Sequence, residues 1–196
     1  MMKRIFYSFF FLAVFFFSLC ACLPNKNITG VEPYFSLTDY FDSQVQILFS
    51  QKYQLAKSMI VDGNADEKNY KITDWHRELR AFFDADINDP SCVGKYKGDT
   101  ISADSGNQKM KKYIYTPLQN DLPVQKIVVT LNAAHDSVTE ILVQTETKNW
   151  YDKTITTLDY LPLQKFDIFS TETELLFGTR IYEVKGDINL GSPYFE

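Results

Sequence analysis

Apolar residues recur at helical spacing in two places along the chain. Over Ser36 to Tyr53, Leu37, Tyr40, Phe41, Val45, Leu48 and Phe49 fall on one face, and Ser36 with Asp39 three residues on reads as a cap. Over Asp74 to Ile87, Trp75, Leu79, Phe82, Phe83 and Ile87 make a second stripe, with Arg77, Glu78, Arg80, Asp84 and Asp86 opposite; Thr73 or Asp74 caps it and Pro90 ends it. Lys57–Val61 and Asn69–Ile72 read as short strands with a turn at Asp62-Gly63. From about Tyr96 the period becomes two. Strands are expected at Lys112–Tyr115, Lys126–Leu131, Thr139–Thr147, Lys153–Tyr160, Phe166–Thr171 and Arg180–Ile188. The joins at Asn132–Asp136, Asn149–Asp152 and Gly178-Thr179 are short, which means antiparallel pairing. The helical stripes need a partner, and one sheet face is the large one available. The expected fold is therefore α+β, a single domain with two amphipathic helices packed on a curved antiparallel β-sheet.

Composition narrows the function classes. Hydrophobic residues at 45% and charged ones at 23% are those of a globular chain, and 196 residues suit one domain. With 20 Lys+Arg against 25 Asp+Glu, the net charge of −5 argues against a nucleic-acid partner, which wants a basic face. No glycine-rich phosphate loop and no alternating β-α-β order is present, so a nucleotide-binding α/β fold is not expected, and nothing calls for a cofactor.

The amino end has a different pattern. Lys3 and Arg4 precede an uncharged, mostly apolar run from Ile5 to Leu19. As a helix it would reach about 22 Å, short of a hydrocarbon core of about 30 Å, so it reads as the core of a secretory leader and not as a spanning segment. The run ends in Leu19-Cys20-Ala21-Cys22, which resembles the lipobox of bacterial lipoproteins. The resemblance implies cleavage after residue 21, a diacylglyceryl thioether on Cys22 and a further acyl chain, such as palmitate, on the new amino group. The chain then divides into a signal peptide at 1–21, a lipidated tether at 22–33 and a single domain at 34–196. The tether LPNKNITGVEP would span about 18 Å as a flexible coil. Removing Lys3 and Arg4 leaves 18 basic residues against 25 acidic ones, so the acyl chains do the holding without a basic patch. Cys92 becomes the one remaining thiol, and no internal disulfide is possible.

Further along, Tyr34-Phe35 and Leu37, Trp75 with Glu78-Leu79, Asp86-Ile87-Asn88, Gly178-Thr179 and Tyr182-Glu183-Val184-Lys185-Gly186 together resemble a set of uncharacterised lipoproteins from Bacteroidota. The resemblance implies an exported, lipid-anchored domain of this size and carries no assigned activity. Leu23, where Asp would imply inner-membrane retention, and the lack of an acidic cluster after Cys22 point to the periplasmic face of the outer membrane, with surface exposure as the alternative.

Candidate chemistry is sparse. Asp84, Asp86, Asn88 and Asp89 resemble the start of a calcium loop, but Asp89 and Lys95 stand where Gly and Glu are required. Asp62, Asn64 and Asp66 read as a turn. His76 and His135 have no partner at metal-binding spacing. Cys92 is followed by a non-helical stretch, so no helix dipole activates it, and it reads as a small, partly buried residue. Asp99-Thr100-Ile101 and Asp136-Ser137-Val138 resemble the Asp-Ser/Thr-apolar triplet of Bacteroidota O-glycosylation, which marks Thr100 and Ser137 as sites. The expected function is a non-catalytic envelope lipoprotein, an interaction or structural domain with an envelope protein partner. A lipid or lipoprotein carrier with an apolar cavity is one alternative, and a hydrolase acting on envelope polymers is another.

Overall fold

The computed structural model describes residues 34–70, 74–105 and 108–190, all within one compact unit. The leader, Cys22 and the tether lie outside the described residues. Helix α1 (Leu37–Ser50) is followed by strands β1 (Tyr53–Val61) and β2 (Asn64–Tyr70), then by single helical turns α2 (Trp75–Glu78) and α3 (Arg80–Phe83). Seven strands follow: β3 (Tyr96–Ser105), β4 (Gln108–Pro117), β5 (Val124–Asn132), β6 (Ser137–Lys148), β7 (Asp152–Leu161), β8 (Lys165–Glu174) and β9 (Gly178–Leu190).

All nine strands form one open antiparallel sheet in the order β2-β1-β9-β8-β7-β6-β5-β4-β3. Strands β3 to β9 meander across it, and β9 ends beside β1, so the first hairpin docks on the last strand. The fold is thus mostly sheet with a few short helices, as an α+β chain. Ser36 caps α1 by accepting the Asp39 N–H at 3.0 Å, as the sequence predicts, and Asp74 caps α2 by accepting from Arg77 at 3.1 Å. Asp62-Gly63 makes the β1–β2 hairpin turn, both residues at positive φ (48° and 84°), the geometry of a two-residue hairpin.

Strand register sets the core. Tyr113, Val129, Ile141, Tyr160, Phe166, Gly186 and Lys57 are successive cross-strand partners from β4 to β1. Val129, Ile141, Tyr160 and Phe166 in this row are fully buried. Phe41 of α1 and Phe82 of α3 meet it: their rings lie 4.9 Å apart, Phe41 stands 4.9 Å from Tyr160, and Phe82 stands 6.5 Å from Phe166. Aromatic pairs of this geometry add about 0.5–1.5 kcal/mol each beyond the area they bury. At the row's end Lys57 pairs with Glu78 of α2 at 2.9 Å. Every buried core residue lies between Leu37 and Ile188.

Three expectations change. The second helix is not continuous from Asp74 to Ile87 but breaks at Leu79 and stops at Phe83. Asp84 and Asp86 follow it, where the negative end of a helix dipole repels carboxylates, and Asp86 is drawn to α1 instead. Phe49, expected in the first stripe, is exposed on the last turn of α1. A strand at Tyr96–Ser105 has no counterpart in the sequence reading, and the strand expected at Asn69–Ile72 starts at Asn64, with residues 71–73 outside the described set. Both are edge strands with polar sequences, which period-two counting passes over.

Candidate functional site

The segment entering the domain is stitched down by Asp86 and Asn88. The Asp86 carboxylate accepts the Thr38 N–H at 2.6 Å and the Asn88 N–H at 2.8 Å. Asn88 accepts the Tyr34 N–H at 3.2 Å and donates to the Phe35 carbonyl at 3.3 Å. Tyr34 in turn donates its hydroxyl to the Tyr96 carbonyl and receives the Gly94 N–H, both at 3.2 Å. Phe35 N–H donates to the Tyr115 hydroxyl at 3.0 Å. The Asp86-Ile87-Asn88 and Tyr34-Phe35 pieces are therefore two halves of one clamp, and their part is structural.

Beyond the clamp a cleft of about 550 Å³ opens between the α1 segment and the sheet. Phe35, Tyr40, Tyr113, Leu131, Val138 and Leu163 form its apolar wall. It extends to the β5–β6 and β7–β8 turns, where Asp136, Ser137 and Pro162 make the rim. Gln44, also in the lining, is buried and accepts the Tyr160 hydroxyl at 3.1 Å, so its carbonyl is satisfied. Burial, with Tyr160 beside it, pushes the Tyr40 phenol well above its usual value, and burial first of all holds Tyr160 up at about 12. Both stay neutral hydrogen-bonding groups in a mostly apolar wall.

A second cleft of about 530 Å³ lies by the α1 start, with Asp39, Asp84, Asp86, Asp89 and Cys92 in its lining. Three of its four carboxylates already have partners: Asp86 in the clamp, Asp84 with Arg80 at 3.5 Å, and Asp89 accepting the Ser91 N–H at 2.8 Å. The Ser91 hydrogen bonds hold the Asp89 carboxyl below its ordinary value. Among the described residues no three His, Cys, Asp or Glu side chains are placed to hold a metal ion.

Cys92 is half-buried, with its sulfur 3.8 Å from the Ser91 hydroxyl. His135 lies in the β5–β6 turn, at the opposite strand ends from Cys92, which precedes β3. His76 is exposed, 3.1 Å from Asp42 and stacked on Phe83. Strand direction therefore keeps the thiol apart from His135, and His76 makes its contacts with Asp42 and Phe83. Thr100 is exposed on edge strand β3, and Ser137 is exposed at the start of β6, on the cleft rim. Cys22 lies outside the described residues. No helix among the described residues is long and apolar enough to cross a membrane.

No protein-family model matches the chain, and no curated protein matches it. Among solved structures it is similar to a LolA superfamily protein from Nitrosomonas europaea, with 8% identity and a TM-score of 0.30, over 81% of this chain and 95% of that one. A likeness at that level leaves fold and function to be argued from the residues themselves.

Tyr40 is legible from the sequence as part of the first helical stripe and Tyr34-Phe35 as the segment ahead of it, but nothing in the sequence places Tyr113, Leu131, Val138 and Leu163 opposite them. The one local sign was Pro162-Leu163 between two strands: an apolar residue in a turn, with φ 57° at Leu163.

Proposed function

We propose that the chain is a non-catalytic lipoprotein, held in the outer membrane by acyl chains on Cys22, whose periplasmic domain works by binding. The ligand is a hydrophobic chain, an acyl tail of a lipid or lipoprotein, seated in the cleft of Phe35, Tyr40, Tyr113, Leu131, Val138 and Leu163. In this reading the helices form a layer across one face of a curved sheet, and the ligand enters where that layer ends.

The cleft itself carries the proposal. Its volume of about 550 Å³ lies within the ordinary range of small-molecule sites, roughly 300–1,000 Å³. A mainly apolar wall, with Gln44, the Tyr40 and Tyr113 hydroxyls, Asp136 and Ser137 as its polar points, favours a long apolar ligand with a polar head over a sugar or peptide. Asp136 at the rim disfavours an anionic head, so an esterified or amide-linked chain suits it better than a free fatty acid. Thr100 and Ser137 stand as proposed O-glycan sites, and a glycan on Ser137 would narrow the cleft mouth.

The test is a titration of the full chain in dilute detergent with a pyrene-labelled phosphatidylethanolamine. Binding should saturate at one probe per chain. Val138→Asp, which puts a carboxylate in the wall, should weaken it by about tenfold or more. Binding that does not saturate, or that Val138→Asp leaves unchanged, would refute the reading.

A further inference from the structure

At the strand ends opposite the cleft rim, two turns stand side by side. The β6–β7 turn holds Trp150 and Tyr151, and the β8–β9 turn holds Leu175, Leu176 and Phe177. The Leu175 N–H donates to the Tyr151 carbonyl at 2.9 Å, which ties the two turns together. Asn149 shapes the first turn, its side-chain oxygen accepting the Tyr151 and Asp152 N–H groups at 3.0 and 2.9 Å. Gly178, at φ 84°, shapes the second. The result is an apolar tip. Trp150 is 85% exposed, Leu176 84%, Phe177 74% and Leu175 72%, and the Trp150 and Tyr151 rings meet edge to face at 5.1 Å. Single exposed apolar residues are ordinary on protein surfaces, but five gathered on two joined turns make a contiguous patch that water solvates poorly.

Charged and polar residues begin just behind it. Lys148 and Lys153 face each other across β6 and β7, and Lys153 is paired with Glu146 at 2.9 Å. Asp152 faces Glu174, and Thr173 faces Thr179 with their hydroxyls 3.2 Å apart. Apolar groups at the extremity, an amphipathic Trp and Tyr beside them and a charged collar behind is the layering of a bilayer interface.

We propose that these turns form a membrane-docking tip that places Trp150, Leu175, Leu176 and Phe177 in the interfacial layer of a phospholipid bilayer. The occupant is a lipid surface and not a protein groove, on two grounds. The side chains project from turns at the end of the sheet, exposed over most of their surface, and a fluid interface takes them without a matching cavity. The chain also enters the domain at this end: Tyr34 is bonded to Gly94 and Tyr96 at the start of β3, and β3 begins at the same strand ends as the tip. Only residues 23–33 separate Tyr34 from Cys22, a length that spans about 18 Å on average for a flexible chain. This second ground rests on Cys22 being the anchor, while the chemistry of the tip does not.

The chain has two tryptophans, and Trp75 is 3% exposed, so Trp150 is a depth reporter in the full chain. The experiment places the full chain in phosphatidylethanolamine–phosphatidylglycerol vesicles whose acyl chains carry bromine at shallow or deep positions, and reads tryptophan emission after flotation. Trp150 emission should shift to the blue and be quenched most by shallow bromine, and the Trp150→Phe variant should lose the quenched component. Leu176→Asp with Phe177→Asp, at exposed positions that leave the core untouched, should cut quenching by about tenfold. Chain that floats with unquenched Trp150 would overturn the proposal and leave the anchor standing. Chain that does not float at all would overturn both. Self-association in solution that the two aspartates abolish, with no quenching in vesicles, would assign the tip to a second copy of this chain and overturn the lipid reading.

Discussion

Gly186 offers the sharpest check on the core. It sits on β9 in the row that joins Tyr160 and Phe166 to Lys57, and the Phe166 ring lies over it. A methyl group at this position would collide with Cε1 and Cζ of that ring and stand 2.9 Å from Leu55 Cδ1. The ring has little room to yield, because Phe166 is fully buried with Phe82 against it. Overpacking of this kind costs about 1–3 kcal/mol. Replacing Gly by Ala also removes freedom from the unfolded chain, worth about 0.4–1 kcal/mol in the opposite direction. Gly186→Ala should therefore destabilise by about 1–2 kcal/mol, and lower the melting midpoint by roughly 3–6 °C for a domain of this size. Urea unfolding of Gly186→Ala, Phe166→Leu and the double variant closes a cycle. The smaller Leu side chain makes room for the methyl group, so the double variant should lose about 1 kcal/mol less than the sum of the singles. A fully additive cycle, or a Gly186→Ala chain as stable as the parent, would show that the ring does not rest where the glycine is.

Two further outcomes follow from hydrogen bonds and charge. Asn88→Ala removes the contacts to Tyr34 and Phe35, so amide exchange at Tyr34 to Leu37 should quicken while β5 to β7 stay protected, at a cost of about 1–3 kcal/mol; uniform exchange in both variants would contradict the clamp. Asp159 has a buried carboxyl oxygen with no hydrogen-bond partner among the described residues, and burial, then Glu140, push its carboxyl above the usual range, with Lys165 opposing. A raised folded value means the folded state favours the protonated form: the stabilising contribution is present below the unfolded pKa and is lost as pH rises through the folded one. Asp159→Asn should accordingly gain stability over the parent at pH 7 and lose that advantage towards pH 4, read by urea midpoints at both; a gap that does not change with pH would refute it.

Local rules were enough where one face was buried. Ser36 and Asp74 cap their helices as expected, Asp62-Gly63 turns the first hairpin, β7 and β8 announce themselves because Leu158 and Phe166 stand between polar neighbours, and β5 and β6 do so by the short apolar runs Ile127-Val128-Val129 and Ile141-Leu142-Val143. The edge strands give no such sign. NADEKNY of β2 and YKGDTISADS of β3 pair on one side only, and an edge rich in charge resists pairing with another chain, so their polarity reflects position in the sheet. The cleft is harder still. Phe35, Tyr113, Leu131, Val138 and Leu163 lie on separate elements, and only the register of the meander and the clamp at Asn88 bring them together. The tip was readable in principle, since Leu175-Leu176-Phe177 is an apolar run directly ahead of a turn glycine, where a loop should be polar.

Strand direction then links the two proposed sites. The tip occupies the turns after β6 and β8, whereas the cleft rim is built from the turns after β5 and β7, so the two stand at opposite ends of the same strands. β7 and β8 are ten residues long, which separates the ends by about 33 Å. The rim, where the cleft opens, is thus beyond the reach of an acyl chain still seated in its own leaflet, although the cleft wall runs back along the strands to Phe35 beside Tyr34. A tip resting in the interface therefore holds the cleft mouth out in the aqueous compartment, facing away from the supporting bilayer. An apolar ligand would reach such a cleft from a soluble partner or from an opposing surface and not by sliding out of the membrane beneath. On this geometry the tip and the tether fix orientation while the cleft does the exchanging.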